Sequence, residues 1–333
     1  MSPEALIHPP AFRRALLTWY DATRRDLPWR TTPNFYRVLI SEVMLQQTRV
    51  EAVIPYYHRF LDRFPDIAAL AAAPEQEVLA AWSGLGYYSR ARSLHKAAKT
   101  IAATGLPQTY DAVRALPGAG PYTAAAVASI ALNLPHAAVD GNVIRVVSRL
   151  TNDAAEVSLP AVRRRFAECA ESLLDRERPG DFNQAMMELG ATLCLPRAPR
   201  CPACPVSRFC SARMAGTERE LPVKIGKPAA RDVTLDLVRL EDGQRIFLIQ
   251  RPPVERRLAD FWELPERKAR TGIRVRLAGE FSHRIVNDRL SVKIWKARPP
   301  RTLPAGQWFD QRQLSSIPLT TITRKALQLT ASN

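Results

Sequence analysis

Two carboxylates have surroundings that suit opposite roles in acid–base chemistry. The first is Glu42, and helical spacing places Val38, Leu39 and Leu45 on its own face. Because burial among apolar side chains disfavours a charge, we expect the pKa of Glu42 to be raised, as a general acid requires at neutral pH. The alternative is a glutamate that reaches the helix edge or pairs with an arginine such as Arg37.

The second carboxylate, Asp140, lies between an apolar stretch and an amphipathic helix predicted from Val143, Val147 and Leu150. An aspartate at such a place is an ordinary N-cap. A functional role is compatible with that position, because the helix dipole and the amide groups hold a carboxylate ionised. One protonated and one charged carboxyl group are what cleavage of a glycosidic bond through an oxocarbenium-like state requires.

Four of the five cysteines fall in one short window, with the spacing Cys194-x6-Cys201-x2-Cys204-x5-Cys210. Four thiolates this close can hold an iron–sulfur cluster or a zinc ion, and the spacing alone leaves both open. In a chain with no visible secretion signal, metal ligation is favoured over disulfides. Cys169 stands apart within an apolar helical pattern, and we expect it in the core.

A glycine-bracketed turn at residues 116–120 separates two predicted helices, and the second runs through Ile130. It contains Leu116, Gly118 and Gly120. Glycines at the start of a helix let a phosphate approach the backbone N–H groups closely, so this segment is typical of a helix–hairpin–helix that grips the DNA backbone. The alternative is an ordinary tight turn between helices.

Positive charge dominates the composition. Lysine and arginine total 48 against 32 acidic residues, which gives a formal net charge of +16. This excess favours a polyanionic partner such as nucleic acid, although an arginine-rich proteome produces the same excess. The cysteine window is rich in proline, which predicts a rigid loop, and it carries four of the arginines: Arg197, Arg200, Arg208 and Arg213.

The elements that must position these groups change character along the chain. Residues 1 to about 215 have apolar positions at helical spacing, interrupted by proline and glycine. From about residue 230, extended runs and the turns Asp242-Gly243 and Asn287-Asp288 predict strands joined by hairpins. The longest apolar stretch, 122–132, is shorter than the ~20 residues of a membrane span, and no signal peptide is visible, so we expect a cytoplasmic protein.

At these motifs the chain resembles the helix–hairpin–helix DNA glycosylases that carry an iron–sulfur cluster, and it is most similar to the adenine DNA glycosylase family. The resemblance covers nearly the whole chain. Its matching segments are residues 27–30, 41–48, 82–90, 116–124, 139–143 and 182–190, together with the four clustered cysteines. The resemblance implies that Cys194, Cys201, Cys204 and Cys210 hold one [4Fe–4S] cluster, which favours iron over zinc.

The resemblance also implies whether the enzyme only removes the base or also cuts the DNA strand. Related bifunctional enzymes, such as endonuclease III, have a lysine after the hairpin proline and use it to form a Schiff base with the sugar. This chain has Tyr122 there, and a phenol cannot form that imine. We therefore expect a monofunctional glycosylase, in which Tyr122 and Asn142 help to orient the reacting groups.

Further roles follow by resemblance. Glu42 is expected to protonate adenine N7, and Asp140 to stabilise or trap the sugar cation. Arg30 and Gln184 are expected in the adenine pocket. DNA contacts are expected from Gln47 and Tyr87, which would fill or wedge the site of the extruded base, and from the hairpin residues Leu116, Gly118 and Gly120.

The C-terminal region resembles the NUDIX-like lesion-recognition domain of the same family. Phe281-Ser282-His283 matches the motif that contacts 8-oxoguanine, and residues 261–265 match its Trp-Glu-x-Pro segment. We find no acidic Arg-Glu-x-x-Glu-Glu box of the kind that holds magnesium in NUDIX hydrolases, so this region is expected to bind and not to hydrolyse. Without the resemblance, an ordinary turn residue would be the favoured interpretation of His283.

The sequence thus predicts an α + β multidomain protein. Residues 1–220 form a helical catalytic region, in which about 25–135 make a six-helix and hairpin subdomain, and 1–24 plus 136–215 make the iron–sulfur subdomain. Residues 221–229 form a linker, and 230–333 form the NUDIX-like domain. The predicted function is removal of adenine opposite 8-oxoguanine or guanine in double-stranded DNA, by a monomer, to leave an abasic site. The alternatives are an endonuclease III-like lyase, a non-catalytic damage sensor and a NUDIX hydrolase.

Overall fold

The computed structural model describes residues 8–224, 230–252, 258–267, 275–285 and 287–329. The chain divides into two compact units. Unit 1 comprises Met1–Tyr57 and Ala97–Gly226, and unit 2 comprises His58–Lys96 and Lys227–Asn333. The predicted division into consecutive segments stays a prediction, and part of the predicted linker, 225–229, lies outside the described residues.

Unit 1 is helical, as the apolar spacing predicts. Its helices are α1 (Pro9–Thr23), α2 (Pro28–Thr31), α3 (Phe35–Leu45), the first part of α4 (Val50–Arg63), the second part of α7 (Ser89–Thr104), α8 (Tyr110–Arg114), α9 (Pro121–Leu132), α10 (Gly141–Thr151), α11 (Pro160–Leu173), α12 (Pro179–Thr192) and α13 (Ser211–Ala215). Within the described residues, no helix is both long and apolar enough to span a membrane.

Helix α9 is the central helix of unit 1. It begins after Gly120 with Pro121 at its first position, where the missing N–H costs nothing, and it ends at Asn133 in the left-handed conformation. Its buried face consists of small residues, from Thr123 to Ser129. Small side chains allow neighbouring helices to approach closely, and α9 contacts α3, α8 and α12.

Helix α10 buries the apolar positions that its sequence pattern identifies. Its apolar positions Val143, Val146, Val147 and Leu150 recur at helical spacing and are all buried. They join a hydrophobic core with residues of α1, α11 and α12. Cys169 packs against the same core, which confirms its predicted place.

The described residues of unit 2 form the second part of α4, α5 (Ile67–Ala72), α6 (Glu75–Trp82), the start of α7, six strands and α14 (Thr321–Leu329). The strands are β1 (Arg231–Asp242), β2 (Arg245–Gln250), β3 (Trp262–Glu263), β4 (Val275–Ile285), β5 (Asp288–Ala297) and β6 (Gln307–Asp310). The sheet has the order β3-β2-β1-β5-β4, and β6 also pairs with β2.

The strand pairing confirms both predicted hairpins. β1 and β2 are antiparallel across the turn at Asp242-Gly243, where Gly243 has φ +60°. β4 and β5 are antiparallel across the second turn, of which Val286 lies outside the described residues. β1 and β5 run parallel. One face of the sheet buries a core to which strand residues such as Leu248 and Ile294 belong together with Ala326 of α14.

Candidate active site

The expected acid, Glu42, lies in the middle of a helix that is buried on nearly all sides. Every residue of α3 from Val38 to Met44 is buried, and Glu42 is 6% exposed. The phenol O–H of Tyr122, on α9, donates a hydrogen bond of 2.7 Å to Glu42 Oε2 and also lies 3.2 Å from Met187 Sδ. The alternative in which Glu42 reaches the helix edge is therefore wrong.

Burial raises the pKa of Glu42 to about 7, and the nearby Asp140 adds to the increase. The hydrogen bond from Tyr122 and the charge of Arg30 act in the opposite direction but are outweighed. The expected increase in the Glu42 pKa is thus confirmed. A carboxyl group with a pKa near neutrality can hold a proton and transfer it at physiological pH.

Asp140 is the N-cap of α10, as the sequence predicts. Its Oδ1 accepts hydrogen bonds of 2.8 Å from the backbone N–H groups of Asn142 and Val143, and its Oδ2 accepts one of 2.7 Å from Asn142 Nδ2. The expected hydrogen bonds to the Asp140 carboxylate are present and favour its ionised form, but they are not the largest influence on the Asp140 pKa. Burial raises that pKa, and the hydrogen bonds offset the effect only in part. Two neighbouring carboxyl groups are therefore held in a site where ionisation is costly.

The Asn142 carboxamide is itself fixed from behind. Arg145 Nη2 donates to Asn142 Oδ1 and to the Gly190 carbonyl at 2.8 Å each, and Arg145 Nε donates to the Cys194 carbonyl at 2.8 Å. With its oxygen bound to a cation, the carboxamide must turn its N–H towards Asp140. Gly190 makes this approach feasible, because a Cβ there would lie 2.6 Å from Asn142 Cβ.

The expected adenine-pocket residues lie together, around a carboxylate that the sequence analysis missed. Arg30 Nε donates to Gln184 Oε1 at 3.0 Å, and Arg30 Nη2 donates to Glu188 Oε2 at 3.0 Å. Arg25 binds the same carboxylate through both oxygens, at 2.6 and 3.1 Å. Glu188 is 2% exposed, and these cations lower its pKa although burial opposes them.

Helical spacing offered a signal for Glu188. It follows Gln184 by four residues, so the two share a face of α12. A buried glutamate on the face that carries a predicted site residue needs a cationic partner. The sequence does not identify that partner, because Arg25 and Arg30 lie 163 and 158 residues before Glu188.

A cavity of about 250 Å³ opens beside this pair. Arg30 and Gln184 line it together with Trp29 and the fully buried Tyr20. The Arg30 guanidinium lies 5.5 Å from the centre of the Tyr20 ring, as in a cation–π contact. Flat aromatic and guanidinium groups next to an amide side chain suit a planar, hydrogen-bonding ligand. Glu42, Tyr122 and Asp140 do not line this cavity, however, so the cavity alone does not place such a ligand against the expected acid.

The four clustered cysteines lie in unit 1, and all four are partly buried. Burial raises the pKa of Cys204 to about 12, and the pKa values of Cys201 and Cys210 are also raised, with Cys194 contributing in each case. They therefore lie near one another. In the described parts of the chain, however, no group of three or more His, Cys, Asp or Glu side chains is arranged to hold a metal ion. The predicted cluster stays a prediction.

A buried arginine of α10 holds the first turn of this loop. Arg149 is 1% exposed, and its Nη1 donates to Cys194 Sγ at 3.2 Å and to the Leu195 carbonyl at 2.8 Å. Its Nη2 donates to the Pro196 carbonyl at 3.1 Å. An N–H group directed at the sulfur is the kind of contact that stabilises a thiolate ligand of a metal centre. The four arginines predicted on the loop are all exposed.

The predicted hairpin is present between α8 and α9. Gly118 is exposed at φ +80°, a conformation that favours glycine, and Gly120 is the N-cap of α9. Leu116 is buried beneath the turn, with 7% exposure. Arg114 Nη1 donates to the Ala119 carbonyl at 2.8 Å and braces the turn. The role of this hairpin in binding a DNA phosphate stays a prediction.

The two predicted wedge residues share an unusual backbone geometry. Gln47 is exposed with φ +58°, and Tyr87 is 48% exposed with φ +49°. Gln47 belongs to unit 1 and Tyr87 to unit 2. In unit 1, the neighbouring Gln46 is anchored to Thr123 of α9 by a hydrogen bond of 2.9 Å. Positive φ in residues with a Cβ costs energy, which is typical of functional positions.

The motif expected to read 8-oxoguanine lies on β4 of unit 2. Ser282 is exposed, and Phe281 and His283 are half-buried. Lys325 Nζ lies 3.4 Å from His283 Nδ1. Burial lowers the pKa of His283, and the charge of Lys325 lowers it further. His283 is a strand residue, so the alternative of an ordinary turn residue is wrong.

Comparison with known proteins agrees with these arrangements. Residues 40–171 match the family described as the HhH-GPD superfamily base excision DNA repair protein. Among solved structures, a thermostable thymine-DNA glycosylase is 30% identical with a TM-score of 0.56, covering 62% of this chain and 97% of its own. A non-covalent endonuclease III–DNA complex, 23% identical with a TM-score of 0.52, covers 63% of this chain and 98% of its own, and shares the fold.

Curated relatives narrow the family. The adenine DNA glycosylase of Mycolicibacterium smegmatis is 41% identical over 244 residues, which cover 68% of this chain and 82% of that protein. The rat enzyme of the same name is 44% identical over 238 residues, covering 68% of this chain and 46% of that protein. The chain thus spans about half the length of the mammalian relatives that it matches. It belongs to the adenine DNA glycosylase family of helix–hairpin–helix base-excision repair proteins.

Proposed function

We propose that this protein is a monofunctional DNA glycosylase that removes adenine from duplex DNA where it is paired with 8-oxoguanine or guanine. The observation that carries the proposal is the buried Glu42, whose pKa lies near 7 beside Tyr122 and Asp140. Removal of a base from the stack requires an acid for the leaving base and a carboxylate for the sugar. The curated relatives support adenine as the base.

Glu42 donates the proton. Once adenine has left the stack and entered the site, Glu42 transfers a proton to its N7, which makes the base a better leaving group. The C1′–N9 bond then breaks with its electron pair going to adenine, and the sugar becomes an oxocarbenium ion. Tyr122 keeps the Glu42 carboxyl group in place through its 2.7 Å hydrogen bond.

Asp140 faces the cation. In its ionised form, Asp140 supplies the counter-charge for the oxocarbenium ion or traps the ion covalently through a carboxylate oxygen. The hydrogen bonds from Asn142 and Val143 favour this ionised form, although burial raises the Asp140 pKa. Asn142, held by Arg145, keeps the Asp140 oxygens oriented. Water then completes the hydrolysis and leaves an abasic site. Tyr122 occupies the position where a lyase has lysine, so no imine forms and the strand stays intact.

Adenine recognition is assigned to the group around Glu188. Arg30 and Gln184 line the cavity, and Glu188 with Arg25 fixes the Arg30 side chain. A guanidinium and an amide held this way can distinguish bases by their hydrogen-bonding edges. We assign reading of the opposite base to Phe281, Ser282 and His283 in a NUDIX-like sheet domain, and wedging of the duplex to Gln47 and Tyr87.

We assign a [4Fe–4S] cluster to Cys194, Cys201, Cys204 and Cys210. The clustering of these thiols and the N–H contact from Arg149 to Cys194 Sγ support this assignment. When bound, the cluster supplies a fixed fold for the arginine-rich loop and no hydrolytic chemistry. The exposed arginines of that loop then contact DNA phosphates. That the protein is a monomer and that it acts in the cytoplasm both stay predictions.

The test is excision from end-labelled duplexes that contain one adenine opposite 8-oxoguanine or guanine. Each reaction is divided and read with and without alkali. Fragments that appear only after alkali, and fastest opposite 8-oxoguanine, are the expected result. Breaks without alkali would indicate lyase chemistry by another amine, and tight binding without any break would indicate a damage sensor.

A further inference from the structure

An exposed tyrosine loop in unit 2 is held in a strained conformation. The loop comprises residues 83–88 and is called the Tyr87 loop below. Gly84 has φ +112°, Gly86 has φ +74° and Tyr87 has φ +49°. The two glycines adopt a positive φ readily, but Tyr87 has a Cβ, so its left-handed conformation costs energy and persists only where surrounding contacts fix it. The contacts that fix this loop therefore decide where the Tyr87 ring points.

The flanking helices brace the loop from one side. Trp82 Nε1 donates to the Gly86 carbonyl at 3.2 Å, and Arg90 Nη2 donates to the same carbonyl at 3.1 Å. The Arg90 guanidinium also lies 5.4 Å from the centre of the Tyr87 ring. Trp82 ends α6, and Arg90 belongs to the first turn of α7. These contacts are local in sequence and form with the helices themselves.

The C-terminal segment braces the loop from the other side. The guanidinium of Arg324, on α14, donates to both the carbonyl and the hydroxyl oxygen of Ser83. Ser83 Oγ donates in turn to the Leu319 carbonyl at 3.1 Å. Ser83 and Leu319 are each 3% exposed. Charge-assisted hydrogen bonds away from water are among the stronger contacts of this kind.

Two more contacts lie at the other end of the loop. The rings of Tyr88 and Phe261 have centroids 4.1 Å apart. Arg92 Nη2 donates to the Ala259 carbonyl at 2.6 Å and to Asp260 Oδ2 at 3.2 Å. The Tyr87 loop is thus held at both ends by residues that follow it in the chain by more than 150 positions.

Helix α14 also contacts the strand that carries the expected lesion-reading motif. Lys325, next to Arg324, places its Nζ 3.4 Å from His283 Nδ1. A Cβ at Gly279 of β4 would lie 3.3 Å from Leu329 Cδ2, so the end of α14 packs closely on that strand. Neighbouring residues of one short helix therefore contact the Tyr87 loop and His283.

We infer that α14 is a coupling element, and that Arg324 is a positioning residue that holds Tyr87 in a fixed relation to His283. This inference rests on the proposed function. When β4 binds 8-oxoguanine, α14 keeps the Tyr87 loop in the position that favours extrusion of the adenine. Opposite guanine, β4 has no lesion to engage, and the coupling contributes less. Arg324 thus determines discrimination between the two mispairs without contacting either.

The test compares Arg324→Met and Arg324→Lys with the native protein under single-turnover conditions, on adenine opposite 8-oxoguanine and opposite guanine. Arg312→Met is the matched control, because that guanidinium is 86% exposed and binds Asp310 on the surface. We expect Arg324→Met to slow excision about tenfold opposite 8-oxoguanine and about twofold opposite guanine. Arg324→Lys should restore part of the ratio, and Arg312→Met should leave it unchanged. Melting curves show that all variants are folded at the assay temperature.

Equal slowing on both mispairs would overturn the coupling, because a merely structural brace affects both alike. An unchanged ratio with unchanged rates would overturn it as well. Failure of the proposed function is distinguishable, because the native protein would then release no adenine from either duplex.

Discussion

Removal of the Tyr122 hydroxyl should move the pH dependence of adenine release in a defined direction. Glu42 must be protonated to act, so kcat/KM should fall as the pH rises through about 7, the pKa of the free enzyme's acid. The phenol O–H donates to Glu42 Oε2 at 2.7 Å and lowers that pKa by stabilising the carboxylate. Tyr122→Phe removes this stabilisation. The alkaline limb should therefore move to higher pH.

The size of the movement follows from the hydrogen bond. A hydrogen bond to a charged, buried group contributes about 1.5 kcal/mol or more, and one pKa unit corresponds to about 1.4 kcal/mol. We expect the midpoint to rise by about one pH unit. The assay is kcat/KM for adenine release between about pH 5.5 and 9. Tyr56→Phe, which removes a phenol hydroxyl on α4, is the control. A midpoint that stays in place or falls would refute Glu42 as the acid that Tyr122 contacts.

Three further predictions concern the same unit. Glu42→Gln should bind duplex DNA but release no adenine. Because the Glu42 pKa lies near 7 rather than 4.5, ionisation of the native residue above pH 4.5 costs stability. The variant should therefore gain about 3 kcal/mol in the free energy of unfolding at pH 8 and little at pH 4, as measured by denaturant titration. Gly190→Ala should slow base release about tenfold with little change in DNA affinity, because the Cβ of the new alanine displaces Asn142. Base release at the native rate would show that the position of Asn142, and its orientation of Asp140, does not affect the reaction. DNA affinity measured against salt concentration should fall steeply on a double-logarithmic plot, and a flat response would contradict a phosphate-binding role for the positive charge.

The sequence predicted the parts of the site that depend on local pattern. Helical spacing identified Glu42 as buried, and the residues around Asp140 identified an N-cap. Both are properties of a single helix and its first turn. The sequence did not show that burial raises the Asp140 pKa, because that burial depends on how α12 and other elements pack around the start of α10. No local pattern contains that information.

Residues that act through distant partners were not predictable in the same way. Arg145 and Arg149 lie on α10 within an amphipathic pattern, where arginine normally faces water, yet both are buried. Their partners are backbone carbonyls of a loop about fifty residues later. A carbonyl has no signature in the sequence, so only the fold reveals such a contact. The same reason applies to Arg324 and the Ser83 carbonyl.

Unit 2 is built from two segments that are far apart in the chain, which affects the order in which the protein folds during synthesis. Its helical part, His58–Lys96, leaves the ribosome well before the strands from Lys227 onward with which it packs. Until the C-terminal segment is made, the Tyr88 ring lacks its partner Phe261, and the Ser83 carbonyl lacks its partner Arg324. The early helices of unit 2 are therefore synthesised before their long-range partners, whereas both segments of unit 1 are complete by Gly226. Chaperone dependence should accordingly be a property of unit 2 more than of the catalytic core.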